Sequence, residues 1–375
     1  MAIETREVKT KKDMKEFLKI PFDIYKDNEY WVPELVSIEQ ETFDPKKNPG
    51  YQGAETKLFI AYKDGKLAGR IVGLNSKIAN EKYKSKNMRF GWFESINDKD
   101  VSSALFNEVF KWAKGLNMET ITGPHGFSDL DKEGMLIEGF NELPTVAVYY
   151  NHPYYKDLVE NSGFVKDIDY WEFQTMVPHE KGIPPKLLRL AERIKERSSV
   201  KVIDFKSKRH LMSRAEEMFR LLDETFEEIY GSVPLNKKQI SYYVKKYITF
   251  VDKDMIKAIE NEEGEMIAFM ITLPSLSKAF QISKGKLFPF GWYHILKALK
   301  TNKILDFYLA GVRKKYRGTG VDLMMVIEIV KSGMKKGYIY AESNPELETN
   351  EKVHAQWKYF EPRLHKKRRI FKRDV

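Results

Sequence analysis

The chain contains no cysteine. That absence excludes disulfide scaffolds, thiolate zinc sites, iron–sulfur clusters and cysteine nucleophiles. Long apolar runs are missing too: even Val321–Val330 carries Asp322 and Glu328, short of the roughly 18 residues a membrane span needs. The seven histidines are scattered without zincin spacing, so no metal site is expected. Met1–Ile20 is charged throughout and shows no secretory signal. The expectation is a cytoplasmic protein with no membrane partner.

What is present is a chain of 375 residues, long enough for two domains with cores of their own. At 42% hydrophobic and 31% charged, it reads as globular. Its 64 Lys plus Arg exceed 54 Asp plus Glu, a net +10, but the charges are interspersed as on an ordinary solvated surface. Arg363–Arg373 differs, with seven basic residues and no acidic one. Ile370 and Phe371 within it predict a final strand with a basic edge, so nucleic acid is not an expected partner. A homo-oligomer is compatible with the composition.

The main organising feature is an internal repeat. Leu58–Ala61, a turn at Lys63–Lys66 and Leu67–Leu74 predict a β-hairpin, and Ile256–Ile259, Asn261–Glu265 and Met266–Leu273 repeat it. Further strands are expected at Arg89–Ile96 and Leu305–Val312, each leading into an amphipathic helix. Leu105, Val109, Trp112 and Leu116 mark the apolar face of the first helix; Leu323, Val326, Ile327, Val330 and Met334 mark the second. Both helices stop at Lys-Gly, Lys114-Gly115 and Lys336-Gly337. Strands at Met118–Thr122 and Tyr338–Ala341, helices opening at Asn151 and Asn350, and strands at Asp169–Met176 and Lys367–Lys372 complete the two halves. This order predicts two α/β units with mixed sheets. The boundary falls near Pro178–Pro185, giving domains at 1–178 and 179–375, with a helix from Pro185 to about Ser198 opening the second. Each half has one long insertion, Gly123–Tyr150 and Pro274–Lys303.

The chemistry concentrates in Leu309–Leu323, a strand, a basic glycine-rich turn and a helix start. Gly318 and Gly320 let backbone approach a ligand, successive N–H groups form a nest, and a helix N-terminus favours anions. Lys314, Lys315 and Arg317 add the positive charge a pyrophosphate wants. The turn is neither a Walker loop nor a Rossmann fingerprint.

Val312 followed by Tyr316-Arg317-Gly318-Thr319-Gly320 resembles the central R/Q-x-x-G-x-G/A motif of the GNAT superfamily of acyl-CoA N-acyltransferases. The order of elements in both halves is similar to that fold, as is Asn151…Gly163-Phe164. Phe288-Pro-Phe-Gly-Trp292 and Phe127-Ser128…Gly139-Phe140 look like a bacterial tandem subgroup. The resemblance implies acetyl-CoA, or another acyl-CoA, held by Leu309, Ala310, Val312, Lys314, Arg317, Gly318, Thr319, Gly320, Val321 and Asp322. It implies direct attack of a small or peptidic amine on the thioester, with a strand-borne N–H stabilising the oxyanion. Asp306, six residues before Val312, and Glu342 are the candidate bases.

Three departures from the motif stand out. Asp322 replaces the last Gly or Ala and is either a helix cap or a repulsive charge in the site. The first-half turn, Asn97-Asp98-Lys99-Asp100, has no glycine, so only the second half is expected to bind acyl-CoA. Trp357, seven residues after Asn350, stands where the family often has a proton-donating tyrosine; Tyr359 is the nearest substitute. Two other functions remain open: an inactive acyl-CoA sensor, and an aminoacyl transferase using aminoacyl-tRNA, to which the basic tail lends itself. Asp129, Asp131, Glu133 and Glu138 read as a structural insertion, or as carboxylates selecting a cationic amine, with His125 beside them. Phe288–Tyr293 reads as a lid packed over the cleft.

Overall fold

The computed structural model describes residues 2–248 and 251–375. Along the first half run β1 (Ile3–Glu7), α1 (Lys11–Ile24), α2 (Val36–Thr42), β2 (Ala54–Lys63), β3 (Lys66–Ser76), α3 (Lys77–Tyr83), β4 (Asn87–Ser95), α4 (Lys99–Gly115), β5 (Thr120–Gly123), β6 (Met135–Glu138), α5 (Tyr155–Asn161) and β7 (Val165–Met176). The second half supplies α6 (Pro185–Ser198), β8 (Lys201–Val202), α7 (Lys208–Phe226), α8 (Lys237–Ile248), β9 (Ile256–Glu260), β10 (Met266–Pro274), α9 (Ser277–Ser283) and α10 (Gly291–Thr301). It ends with β11 (Ile304–Val312), α11 (Val321–Lys336), β12 (Tyr340–Ser343), β13 (Glu346–Leu347), α12 (Glu351–Trp357) and β14 (Arg363–Asp374). Both repeated hairpins, both following strands and both long helices are present.

Two compact units form. One comprises Met1–Trp171, Ser277–Ile295 and His365–Val375; the other comprises Glu172–Leu276 and Leu296–Leu364. The first unit therefore includes two segments that follow residue 178 in the chain.

In the first unit β2 and β3 pair antiparallel across a tight turn. Asp64 (φ 49°) and Gly65 (φ 75°) are both left-handed there, which matches the turn to the twist of the strands. Strand β4 then pairs with β3 antiparallel and with β5 parallel, as a crossover through α4 requires. Leu105, Phe106 and Val109 of α4 bury against Phe90 and Ile121, each fully buried large side chain contributing about 1.5–3 kcal/mol. Gly115 lies inside α4, and the left-handed residue after it is Asn117 (φ 54°); Leu116, read from spacing as apolar face, is exposed.

The tail is a further correction. β14 is not a basic edge: it pairs with β5 and β6 inside the sheet, with Ile370 and Phe371 fully buried. Four of its cations bond within the unit. Arg368 donates to the Tyr149 carbonyl at 2.6 Å, Lys366 to that of Leu143 at 3.1 Å, Arg373 to that of Ser162 at 2.6 Å, and Arg369 grips Asp169 with two bonds at 2.7 and 3.0 Å.

In the second unit β10 pairs with β9 and β11 antiparallel, and β12 joins β11 parallel. Val321, Met324, Met325 and Ile329 of α11 pack on Ile259, Ile267, Ala268 and Leu305. The far end of α11 stops as read, on left-handed Gly337 (φ 71°). On its other side α6 packs Leu187 against Leu323 and Ile327.

Candidate active site

Two features of β11 create a cleft in the second unit. Its parallel pairing with β12 covers four positions, from Ile304↔Tyr340 to Phe307↔Ser343, while β11 itself runs on to Val312. The strand edge beyond Phe307 is thus opened on the β12 side. On the opposite side Ile271 pairs with Leu309 but Thr272 with Phe307, so Tyr308 is an extra, bulged residue. Bulges re-aim backbone groups locally, and here the bulge falls where the two strands separate. Asn344 donates to the Tyr308 carbonyl at 3.0 Å and fixes it.

Beyond β11 the chain makes one turn of tight helix, Lys314–Tyr316, and passes through Gly318 (φ 79°) and Gly320 (φ 94°) into α11. A Cβ on Gly320 would lie 2.5 Å from Ile194 Cδ1, so this position needs glycine for space as well as for conformation. Gly320 is the N-cap of α11 and brings no side-chain hydrogen bond to it. Asp322 Oδ1 accepts the Leu323 N–H at 3.0 Å, a local first-turn contact. The N-cap thus leaves the start of α11 without a capping side chain, while Asp322 covers one early N–H group, that of Leu323; an uncapped helix start suits an anionic ligand.

The cations around this turn are engaged differently from the expectation. Arg317 does not reach over the nest: Nε donates to the Val312 carbonyl at 3.1 Å, Nη2 to that of Thr225 at 2.8 Å and Nη1 to Glu228 at 3.0 Å. Lys314 meets the same Glu228 at 2.6 Å, and this pairing holds the Glu228 carboxyl below its usual range. Arg317 thus ties the end of β11 to the end of α7. Lys315 lies over the Tyr316 ring. Leu309, Ala310 and Val312 lie on the β11 stretch after the bulge, in register with Ile271, Met270 and Ala268.

Of the acid–base candidates, Asp306 and Glu342 come together and Tyr359 does not join them. Asp306 and Glu342 are register partners on β11 and β12, both buried, and Glu342 Oε1 accepts from Gln174 at 3.1 Å. Tyr359 sits in the turn after α12 and is 47% exposed. Trp357 is buried against Phe307 and Phe173 and donates its indole N–H to Glu346 at 2.9 Å. Glu346 was not among the residues singled out from the sequence. Burial pushes its carboxyl up to about 8, against the opposing hydrogen bonds from Trp357 and Ser343. Only the fold brings it behind Trp357, so no spacing in the sequence announced it. Leu305, Phe307, Val326, Ala341, Trp357 and Phe360 enclose a small apolar cavity of about 20 Å³ here.

The equivalent position in the first unit is built oppositely. Asp98 caps α4, its carboxylate accepting the N–H groups of Asp100 and Val101 at 3.0 and 3.1 Å and pairing with Lys63. The chain's own carboxylate thus occupies the first-unit nest. Strand β4 keeps a bulge, since Arg70 pairs with Glu94 but Val72 with Gly91, and Trp92 within it has φ 46°. Around the bulge Glu94 accepts from Tyr25 at 2.6 Å and Tyr155 at 2.7 Å, and burial raises its carboxyl to about 6. Asn151 opens no helix; it is bonded both ways to the Leu136 backbone, at 2.7 and 3.0 Å, and α5 begins at Tyr155. The insertion carboxylates serve structure: Asp131 accepts from the Phe127 and Ser128 backbone, Glu138 pairs with Lys367, and Glu133 is half-buried beside His125, desolvation raising its carboxyl to about 8.

No protein-family model matches the chain. It is 27% identical to Protein YghO of Escherichia coli K12 over 378 aligned residues, covering 97% of this chain and 94% of that one. It is 25% identical to the Bacterial ceramide synthase of Caulobacter vibrioides over 350 aligned residues, 92% of this chain and 90% of that protein. Among solved structures, a tandem GNAT protein from the clavulanic acid biosynthesis pathway matches 100% of this chain and 98% of its own, with TM-score 0.57 at 9% identity. A GCN5-related glucosamine N-acetyltransferase region of a fungal multi-domain GH3 β-N-acetylglucosaminidase matches with TM-score 0.59 at 12% identity, covering 99% of this chain and 38% of that much longer protein. The chain has the tandem GNAT fold.

Proposed function

We propose that the protein is an acyl-CoA-dependent N-acyltransferase, with its donor site in the second unit and the amine of a long-chain lipid base as acceptor. The observation that carries the donor site is the start of α11: a left-handed glycine N-cap that brings no side-chain hydrogen bond to the helix, after a turn carrying Lys314, Lys315 and Arg317. A pyrophosphate fits that nest. The acceptor rests on 25% identity, over 92% of this chain, to a protein named a ceramide synthase, since a ceramide is the amide of a lipid amine.

In this reading the amine nitrogen attacks the thioester carbonyl, the carbon–sulfur bond breaks, and the thiolate leaves with CoA. A backbone N–H of β11 next to the bulge holds the developing oxyanion. Asp306 or Glu342 receives the ammonium proton. Glu346, a protonated acid at neutral pH by virtue of its burial, is a second candidate beside Tyr359 for returning a proton to the thiolate. The acyl chain length remains for the test: acetyl-CoA and longer acyl-CoAs are offered with sphinganine and with a water-soluble amine, and thiol release and product mass are read. Amide formed with sphinganine supports the proposal. Acyl-CoA binding without thiol release would favour the sensor reading, which draws on the pairing of Arg317 and Lys314 with Glu228 and on the exposure of Tyr359. The aminoacyl-tRNA reading drew on the basic tail, whose Lys366, Arg368, Arg369 and Arg373 are bonded within the first unit.

A further inference from the structure

The segment Ser277–Ile295 is pinned at its base and bare at its tip. Ser277 Oγ donates to the Pro144 carbonyl at 2.7 Å, and Gln281 donates to the carbonyls of Glu29 and Trp31 at 2.8 and 3.0 Å. The Val36 N–H donates to the Gly285 carbonyl at 2.9 Å. Gly285 (φ 70°) sits so close to the unit's body that a Cβ there would lie 2.7 Å from the Phe22 ring. Ala279 and Phe280 are buried.

Beyond this base the side chains turn outward. Phe288 is 77% exposed, Phe290 69%, Tyr293 51% and Trp292 45%, with Ile282 at 58%. These rings do not pack as a lid; among the described residues they form the densest group of exposed aromatics. The charge around them has one sign. Within Ser277–Ile295 the sequence has lysines at 278, 284 and 286, all exposed, and neither aspartate nor glutamate. The acidic neighbours Glu29 and Glu34 lie at the base, where their backbone meets Gln281 and Gly285.

We propose that this tip docks the protein on the surface of an anionic lipid bilayer. Trp and Tyr rings suit the headgroup region, Phe reaches the acyl boundary, and lysines meet lipid phosphates. A second copy of the chain is a poorer occupant, because two such patches would set lysines against lysines. Among the described residues no helix is long and apolar enough to cross a membrane, so the attachment is peripheral. It replaces the sequence expectation of no membrane partner. The purpose of docking, access to a membrane-dissolved lipid amine, rests on the proposed function; the docking itself rests on the patch.

The test is co-sedimentation of the full chain with vesicles of phosphatidylcholine alone and with phosphatidylglycerol added. The expected result is salt-sensitive binding to the anionic vesicles. The triple variant Phe288→Ser, Phe290→Ser, Trp292→Ser is expected to bind at least about tenfold more weakly with an unchanged melting temperature. Lys284→Glu with Lys286→Glu is expected to abolish the preference for phosphatidylglycerol. The proposal is overturned if the wild-type chain stays in the supernatant, or if the triple variant binds like wild type. It is equally overturned if the wild type is a dimer that the triple variant dissociates without any change in vesicle binding. Acylation of a lipid amine supplied in detergent separates the two ideas. Activity there without vesicle binding removes the docking alone, whereas vesicle binding without amine acylation removes the acceptor alone.

Discussion

The two halves make the same strand–turn–helix and fill its helix start in opposite ways. In the first, Asp98 places a carboxylate on the opening amides of α4 and is neutralised by Lys63. In the second, Gly320 leaves the opening of α11 without a side-chain cap. A duplicated fold can thus retain its backbone twice while keeping an anion site once, because one capping side chain satisfies the same orphan donors that a phosphate would. The strands show the reverse economy: both β4 and β11 retain a bulge, although their helix starts differ.

The most damaging way to break this contrast is Gly320→Ala. A left-handed backbone (φ 94°) and Ile194 at 2.5 Å both oppose a Cβ, so stability should fall by about 1–3 kcal/mol and CoA affinity by at least about tenfold. Denaturant melts and calorimetric titration read both, and an unchanged CoA affinity would remove the donor site from this turn.

Glu346→Gln comes next. An acid raised from 4.5 to about 8 on folding stabilises fully below pH 4.5, and that contribution is lost as pH rises through 8. Glutamine keeps an acceptor for Trp357 without the buried charge. The variant should therefore be more stable than wild type above pH 8, by up to about 5 kcal/mol, with the advantage gone at pH 4. Thermal melts across pH decide it, and a parallel wild-type and variant profile would show that Glu346 carries no charge penalty.

Arg317→Ala should cost about 1–2 kcal/mol, its partly exposed ion pair adding little to the two carbonyl bonds. CoA affinity should fall with it, through a displaced turn. If stability holds while CoA binding collapses, the guanidinium leaves Glu228 for the ligand and is a direct anion contact. The smallest effect is expected of Asp98→Ala, about 1 kcal/mol of lost cap. Bound CoA should stay at one per chain, because Asn97-Asp98-Lys99-Asp100 brings no left-handed glycine. A second equivalent of CoA would show that Asp98 alone had closed a working site.

Local information was enough for much of this protein. The repeat, the hairpins, the helix from Pro185 and the glycine turn at 318–320 were legible because periodicity and left-handed positions act within a few residues. Absence of cysteine ruled out thiol chemistry at once. Other features lay beyond that range. That β14 runs inside the first unit's sheet, with Lys366 and Arg368 bonded to carbonyls, depends on pairing with strands more than 200 residues earlier. The engagement of Arg317 by Thr225 and Glu228, the burial of Glu346 behind Trp357 and the outward turn of Phe288–Tyr293 are likewise matters of which surfaces meet. Sequence chose the elements and the glycine-capped helix start; tertiary packing decided which charges stay available, because burial and long-range partners, not residue type, set what a side chain can still do.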